Sequence, residues 1–336
     1  MTNILLTGTA GFIGSNFVPY FLEKYPEYNL INLDLLTYAG NLENLKECEA
    51  NARYKFIKGD ICNRELVEFI FNEYDINGVI HFAAESHVDN SIKNPGVFIE
   101  TNVNGTFTLL DVAYKHWMDK PFTYKEKYQG CRFHHISTDE VYGTLNETDL
   151  FTEETPYAPN SPYSASKASS DMIVRSYQET YGMNTVITNC SNNYGPKQHD
   201  EKLIPTIIRK ALAGESIPIY GDGKNIRDWL YVLDHCKGID LVYHTGKEAN
   251  VYNIGGRNER TNLQIVDAIT SILDEKVPTE KSYKELITFV EDRAGHDRRY
   301  AIDATKLETQ LGWKADENFD SGIIKTVEWY LGKYNK

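Results

Sequence analysis

The N-terminal segment through Gly14 constrains this chain more than any other stretch. Ile4-Leu5-Leu6-Thr7 reads as an apolar strand that runs directly into Gly8, Gly11 and Gly14, spaced three apart. An amphipathic stretch from Ser15 to Tyr25 follows, giving strand, tight turn and helix in succession. Small residues at such a turn let a backbone approach a diphosphate. The helix N-terminus adds unpaired N–H groups and the positive end of its dipole. Glycines alone are a weak motif, since any tight strand-to-helix turn uses them. Here a second strand, Leu30-Ile31-Asn32-Leu33, ends in Asp34, about 20 positions after Gly14. A carboxylate there can accept both ribose hydroxyls and repels a 2′-phosphate, which favours NAD over NADP.

The alternation continues. Apolar runs at 54–57, 78–84, 132–137 and 185–188 are separated by helical stretches at 64–73, about 95–117 and about 162–181. Near-continuous apolar strands between helices predict an α/β fold with a doubly wound parallel sheet, Rossmann-like and NAD-binding. From Ser191 onward Pro and Gly punctuate the pattern, at Gly195-Pro196, Pro205, Pro218 and Gly221-Asp222-Gly223. Residues 228–243 and 251–254 read as a return to the sheet region, and two or three helices follow Thr261. The expected division is a cofactor-binding domain at 1–190 plus about 227–256. A smaller substrate-binding region at about 191–226 plus 257–336 completes it.

With 336 residues and 41% hydrophobic content, the chain can bury a substantial core. No run approaches the ~20 apolar residues of a membrane span. The chain enters a strand at once, so no signal peptide is expected. Cys48, Cys62, Cys131, Cys190 and Cys236 are scattered, with no C-x-x-C pair. Reduced thiols in a cytoplasmic protein are the expectation, and no residue cluster has metal-ligand spacing. A net charge of −13 argues against nucleic-acid binding, so an anionic ligand would need a local cluster of Arg and Lys.

Two motifs carry chemistry. Tyr163 and Lys167 follow Pro162, which suits a first helical turn, and positions four apart share one helical face. An ammonium beside a phenol favours phenolate, as does an oxidised nicotinamide, so Tyr163 is a candidate base for a hydroxyl proton. The fifth strand ends in Thr138-Asp139-Glu140, at the strand edge that borders the ligand crevice. In a regular strand the two acids would face opposite ways, so they can serve one substrate only if the chain turns there. Crowded carboxylates raise each other's proton affinity, so one can act as acid and the other as base.

With these residues in place, the chain resembles the extended short-chain dehydrogenases/reductases. HFAAESHVDNSI (81–92), HHISTDEVYG (134–143), SPYSASKASSD (161–171), TNCSNNYGP (188–196), EKLIP (201–205), PIYGDGKNIRDWLYV (218–232) and EDRAGHDRRYAID (291–303) are similar to dTDP-glucose 4,6-dehydratases, nearly from end to end. Asn90 and Ala294 stand where that family commonly carries Arg and Pro. The resemblance implies that Tyr163 takes a C4 hydroxyl proton as hydride passes to NAD. It further implies that Glu140 removes the C5 proton and that Asp139 protonates the departing C6 hydroxyl. Cofactor contacts implied are Phe12, Ile13, Asp34, Thr37, Asp60, Ile61, Ala83 and Thr101, with Asn193 near the nicotinamide, beside Gly8, Gly11, Gly14, Tyr163 and Lys167. Sugar-nucleotide contacts implied are His87, Thr138, Asn192, Lys202, Leu203, Pro218, Tyr220, Arg227, Asn262, Arg293 and His296. A homodimer through the helices at about 95–117 and 162–181 is likewise implied, helped by apolar Val97, Val103, Phe107 and Leu110 on more than one face.

Three alternatives stay open at this point: a 4,6-dehydratase for a UDP- or GDP-linked hexose, a UDP-hexose 4-epimerase, and a non-catalytic NAD-binding protein. An epimerase needs Tyr163, Lys167 and NAD but not two acids, and binding alone needs none of the four.

Overall fold

A computed structural model describes residues 1–292 and 297–334. Seven strands form the central sheet: β1 (Thr2–Thr7), β2 (Tyr28–Asp34), β3 (Tyr54–Lys58), β4 (Gly78–His81), β5 (Arg132–Thr138), β6 (Thr185–Cys190) and β7 (Asn250–Ile254). Their spatial order is 7-6-5-4-1-2-3, and every neighbouring pair is parallel. The order reverses between β1 and β4, and in such sheets the crevice at that switch point takes the ligand.

Continuous apolar strands require cover on both faces, and they have it. On one face, Phe17, Phe21 and Leu22 of helix Phe12–Lys24 pack with Cys236, Ile239 and Val242 of helix Val232–Thr245. On the other, Val67 and Ile70, Leu109 and Leu110, and Val174 and Tyr177 come from helices Arg64–Tyr74, Thr106–Trp117 and Pro162–Tyr181. The Trp117 indole N–H donates to the Ile76 carbonyl at 2.7 Å, so this large buried ring leaves no orphaned donor. A third core joins Ile204 and Ile207, Ile265 and Ile269, and Phe319 and Val327, from helices Leu203–Leu212, Asn262–Lys276 and Phe319–Tyr334.

One sequence expectation needs correction and another needs detail. The helix expected over about 95–117 is three joined pieces: Pro95–Phe98, a π-helical Ile99–Gly105, and Thr106–Trp117. A separate short helix, Val88–Lys93, precedes them. The wider π turn carries a residue that simple 3.6-residue periodicity does not register. Residues 228–243 do return to the sheet region, but as a helix over it rather than as a strand of it. Ile226–Tyr231 lies in a small four-stranded sheet, parallel to Asn192–Tyr194 and Arg299–Tyr300 and antiparallel to Glu259–Thr261. The chain then turns into helix Val232–Thr245, which covers the central sheet.

Among the described residues no helix is long and apolar enough to cross a membrane, and none of the five cysteines is in a disulfide. No group of three or more His, Cys, Asp or Glu among them has the arrangement to hold a metal ion.

Candidate active site

The C-terminal ends of six strands, β1 to β6, open onto one cavity of about 330 Å³. Each glycine of the N-terminal motif has its own task there. Gly8 turns the chain at φ +72°, and a Cβ on it would stand 2.5 Å from Ala83 Cα. A Cβ on Gly14 would meet Thr9 Cα at 2.4 Å, so this glycine lets the helix sit tightly on the turn. Gly11 differs: a Cβ there would meet only the Gly8 carbonyl within 4 Å, so its bare backbone faces the cavity. The helix begins at Phe12 with no side-chain cap and no acid in its first turn, which leaves its N-terminal N–H groups for an anion.

Asp34 closes the other side. Its Oδ2 accepts from Ala10 N–H and its Oδ1 from Leu36 N–H, both at 2.8 Å. Burial raises its pKa, opposed by those two backbone donors. The carboxylate is therefore fixed in direction and still has lone pairs for two hydroxyls. These features fit a dinucleotide: a diphosphate against the glycine turn and a ribose at Asp34. Gly8, Gly11, Phe12, Ile13, Gly14, Asp34, Thr37, Asp60, Ile61, Ala83, Thr101, Tyr163, Lys167 and Asn193 all line this one cavity.

The acid pair lies at its far end. β5 stops at Thr138 and a 3-10 turn, Asp139–Tyr142, starts at once. This is the change of direction that two adjacent acids need to share a crevice. Thr138 caps the turn, its hydroxyl accepting from Glu140 N–H at 3.3 Å and lying 3.4 Å from Asp139 Oδ1. Asp139 is 2% exposed. Burial first, then Glu140 and Asp228, push its pKa well above the usual carboxylate value, with Arg227 opposing.

Helix Pro162–Tyr181 delivers the pair four residues apart. Ser161 and Ser164 form a reciprocal capping box, Pro162 occupies the first turn, and Gly182 ends the helix at φ +67°. Tyr163 and Lys167 are both buried and both line the cavity. The expectation that the protein itself favours phenolate is corrected by the surroundings. Burial, then Glu140, raises the Tyr163 pKa well above 10, and a hydrogen bond with Thr138 only partly offsets them. Lys167 donates to the Ile136 carbonyl at 2.8 Å and lies 3.3 Å from His135 Nε2, and burial pushes its pKa down to about 8.

Of the residues expected at the sugar nucleotide, Thr138, Asn192 and Lys202 line the cavity. The other described ones lie outside its wall. His87 caps helix Val88–Lys93, with Nε2 3.8 Å from Glu201. Leu203 begins the helix after Lys202, and Pro218 and Tyr220 sit on the strand Ile217–Tyr220, paired with Ile287–Val290. Arg227 is buried with its guanidinium 4.4 Å from the Tyr300 ring centre, donating to the Asp297 carbonyl at 2.9 Å. Asn262 opens helix Asn262–Lys276, beside Asn225. Arg293 and His296 lie outside the described residues.

Several lining residues were missed by sequence reasoning, among them Tyr38, Glu85, Ser86, Cys190, Gln198 and His199. Behind the wall, Asn102 on the π turn bonds Glu85 N–H at 2.8 Å and Ser166 Oγ at 2.8 Å, joining the β4 loop to the Tyr163 helix. His235 lies 3.0 Å from Asn193 Oδ1 and fixes that amide.

A dinucleotide cradle at the switch point, with a Tyr-Lys pair and a strand-end Thr on one cavity, defines the class: an extended short-chain dehydrogenase/reductase. Residues 5–326 match the family model described as GDP-mannose 4,6 dehydratase. A dTDP-glucose 4,6-dehydratase from Escherichia coli is 54% identical over 99% of this chain and 93% of its own. The crystal structure of a dTDP-glucose 4,6-dehydratase from Bacillus anthracis, in complex with NAD, matches with TM-score 0.87 and 47% identity, covering 100% of this chain and 98% of that one. One from Streptomyces venezuelae, also with NAD bound, matches with TM-score 0.89 and 43% identity over 99% and 98%. The chain belongs to the dTDP-glucose 4,6-dehydratase family.

Proposed function

We propose that this chain is an NAD-dependent hydro-lyase of nucleotide-sugar biosynthesis that converts dTDP-glucose to dTDP-4-keto-6-deoxyglucose. One observation carries this reading: Asp139 and Glu140 share a cavity with Tyr163 and Lys167, whereas epimerisation needs only the latter two.

Bound NAD supplies a hydride acceptor at C4 of the sugar and a hydride donor at C6. Tyr163 takes the C4 hydroxyl proton as a phenolate, a form that burial and Glu140 oppose and that Lys167 and the positive charge of a bound oxidised nicotinamide would favour, with Thr138 holding the same hydroxyl. A ketone at C4 acidifies the C5 proton, which Glu140 removes. Burial beside another carboxylate strengthens Asp139's hold on a proton, and in this reading it delivers that proton to the leaving C6 hydroxyl. The thymidine diphosphate is assigned to His87, Asn192, Lys202, Leu203, Pro218, Tyr220, Arg227, Asn262, Arg293 and His296, with the two arginines as diphosphate anchors.

Incubation with dTDP-glucose, UDP-glucose, UDP-GlcNAc and GDP-GlcNAc, scored by mass spectrometry, tests the assignment. Loss of one water from dTDP-glucose is expected. Unchanged mass with inverted C4 would indicate an epimerase, and an intact dTDP-glucose beside another consumed donor would overturn the substrate. The discrimination is demanding, since pyrimidine bases differ by one methyl, worth ~1 kcal/mol of burial.

Asp34 sets the cofactor preference. Stripped protein should bind NAD far more tightly than NADP, and Asp34→Asn should narrow the gap, as read by fluorescence titration. Comparable affinities in the unsubstituted protein would remove this role.

The same reading divides the chain into a cofactor domain at 1–190 plus about 227–256 and a sugar-nucleotide domain at about 191–226 plus 257–336, in a cytoplasmic homodimer. The helices named for the dimer carry exposed Val97, Ile99, Phe107 and Met172, whereas Leu110 is turned into the core. Light scattering at micromolar concentration should give twice the 38.4 kDa chain mass. A monomer would refute the interface.

A further inference from the structure

Lys167 does not stand alone behind Tyr163. His135, on β5, places Nε2 3.3 Å from Lys167 Nζ and 3.2 Å from Asp171 Oδ1. Asp171 is one further helical turn along from Lys167, so Tyr163, Lys167 and Asp171 follow one another at spacings of four on one helical face. All three members of the Lys-His-Asp line are buried. Oδ2 of Asp171 accepts from Ser137 Oγ at 2.8 Å and from Tyr157 OH at 3.0 Å, which fixes the carboxylate. Its Oδ1 makes no hydrogen bond and meets only the His135 ring, and His135 Nδ1 makes none either. We infer that Asp171 is a positioning residue whose charge acts on Lys167 across His135, holding the ammonium charged beside Tyr163.

The physical case is one of charge and proton count. A buried ammonium is costly unless a counter-charge is near. Asp171 is the carboxylate of this cluster, and its charge opposes the burial that pushes Lys167 down to about 8. A neutral imidazole carries one N–H, so Nε2 either accepts from Lys167 or donates to Asp171. His135 is kept neutral by burial and by Lys167 itself. It therefore stands between the two charges without adding a second cation, and Asp171 acts on Lys167 by its charge across the ring. Other titratable groups around Lys167 are Tyr163 on its own helix, Cys190 on β6 and His81 on β4, the last kept neutral by burial. Around Asp171 they are Tyr157 and Tyr142, both of which burial holds as neutral phenols. None of these supplies a negative charge to replace Asp171 near neutral pH.

The inference rests on Lys167 serving Tyr163. The test is the pH dependence of kcat/KM for the NAD-loaded enzyme with dTDP-glucose. The unsubstituted protein should lose activity on an alkaline limb near pH 8, as Lys167 deprotonates. Asp171→Asn keeps the shape and removes the charge, so that limb should move about one pH unit lower. Asp171→Glu should restore most of it. Should Asp171→Asn not fold, Asp171→Ser removes the same charge and should move the limb the same way. A limb that stays in place in a folded Asp171→Asn or Asp171→Ser variant overturns the inference, even if activity falls. Lys167→Met separates the two levels. Wild-type turnover in it would overturn the role of Lys167, whereas a dead Lys167→Met beside an unmoved limb fails only the role of Asp171.

Discussion

Glu140→Gln is expected to stop the reaction between its two halves. The amide keeps the shape and hydrogen-bonding reach of the carboxylate but cannot take a proton from C5. Removing a positioned base costs about 10²–10⁴-fold. The first half, which depends on Tyr163 and Lys167, is left standing. Adding dTDP-glucose should therefore produce the near-ultraviolet absorbance of a reduced nicotinamide, close to one per active site, and that absorbance should persist. In the unsubstituted protein it should be transient. Asp139→Asn should behave similarly but more mildly, since an amide cannot protonate the leaving hydroxyl. The structure separates the two acids: Asp139 is buried and driven toward its neutral form, and Glu140 is only half-buried on the same cavity. Wild-type turnover in both variants would make the pair a structural turn with acids near its N-terminus.

What the sequence discloses here follows the range of the interactions involved. Helix Pro162–Tyr181 is legible to the residue because its ends are local chemistry, a proline and serine cap at one end and a left-handed glycine at the other. The inner strands of the central sheet are legible because burial on both faces makes them near-continuous apolar runs, whereas β3, at the sheet edge and half-buried, is marked only by Tyr54, Phe56 and Ile57. The fourteen residues expected at the cofactor line one cavity because strand ends in such a sheet converge on one crevice, a property of topology rather than of any single residue.

The failures share a cause as well. Strand Ile226–Tyr231 pairs with segments of two or three residues from distant parts of the chain, and pieces that short carry no period of their own. The π turn at Ile99–Gly105 shifts the helical register without altering composition, yet it sets Thr101 on the cavity and Asn102 against Glu85. Asp171 is a different case. Its spacing of four from Lys167 was visible, but nothing local reveals that His135 lies between them, because that histidine comes from a strand 32 residues earlier than Lys167. Titration is hardest to read of all. Tyr163 beside Lys167 suggests an easily ionised phenol, and burial beside Glu140 reverses the sign.

That reversal makes Tyr163→Phe the sharpest test of the first step. The phenyl ring should keep its packing, edge-on to Phe98 with ring centres 6.3 Å apart. Only the hydroxyl and its hydrogen bond with Thr138 are lost, so thermal stability should change by no more than about 1 kcal/mol. Turnover should fall by about 10²–10⁴-fold, because the C4 hydroxyl loses the base assigned to it. The signature differs from that of Glu140→Gln: substrate added to Tyr163→Phe should raise no reduced-nicotinamide absorbance at all, since hydride cannot leave C4 while the hydroxyl keeps its proton. The double variant Tyr163→Phe/Glu140→Gln should resemble Tyr163→Phe alone, as a block upstream hides one downstream. If the double variant still accumulates reduced cofactor at the Glu140→Gln rate, another base opens the reaction, and the buried phenol acts as a hydrogen-bond donor to the sugar.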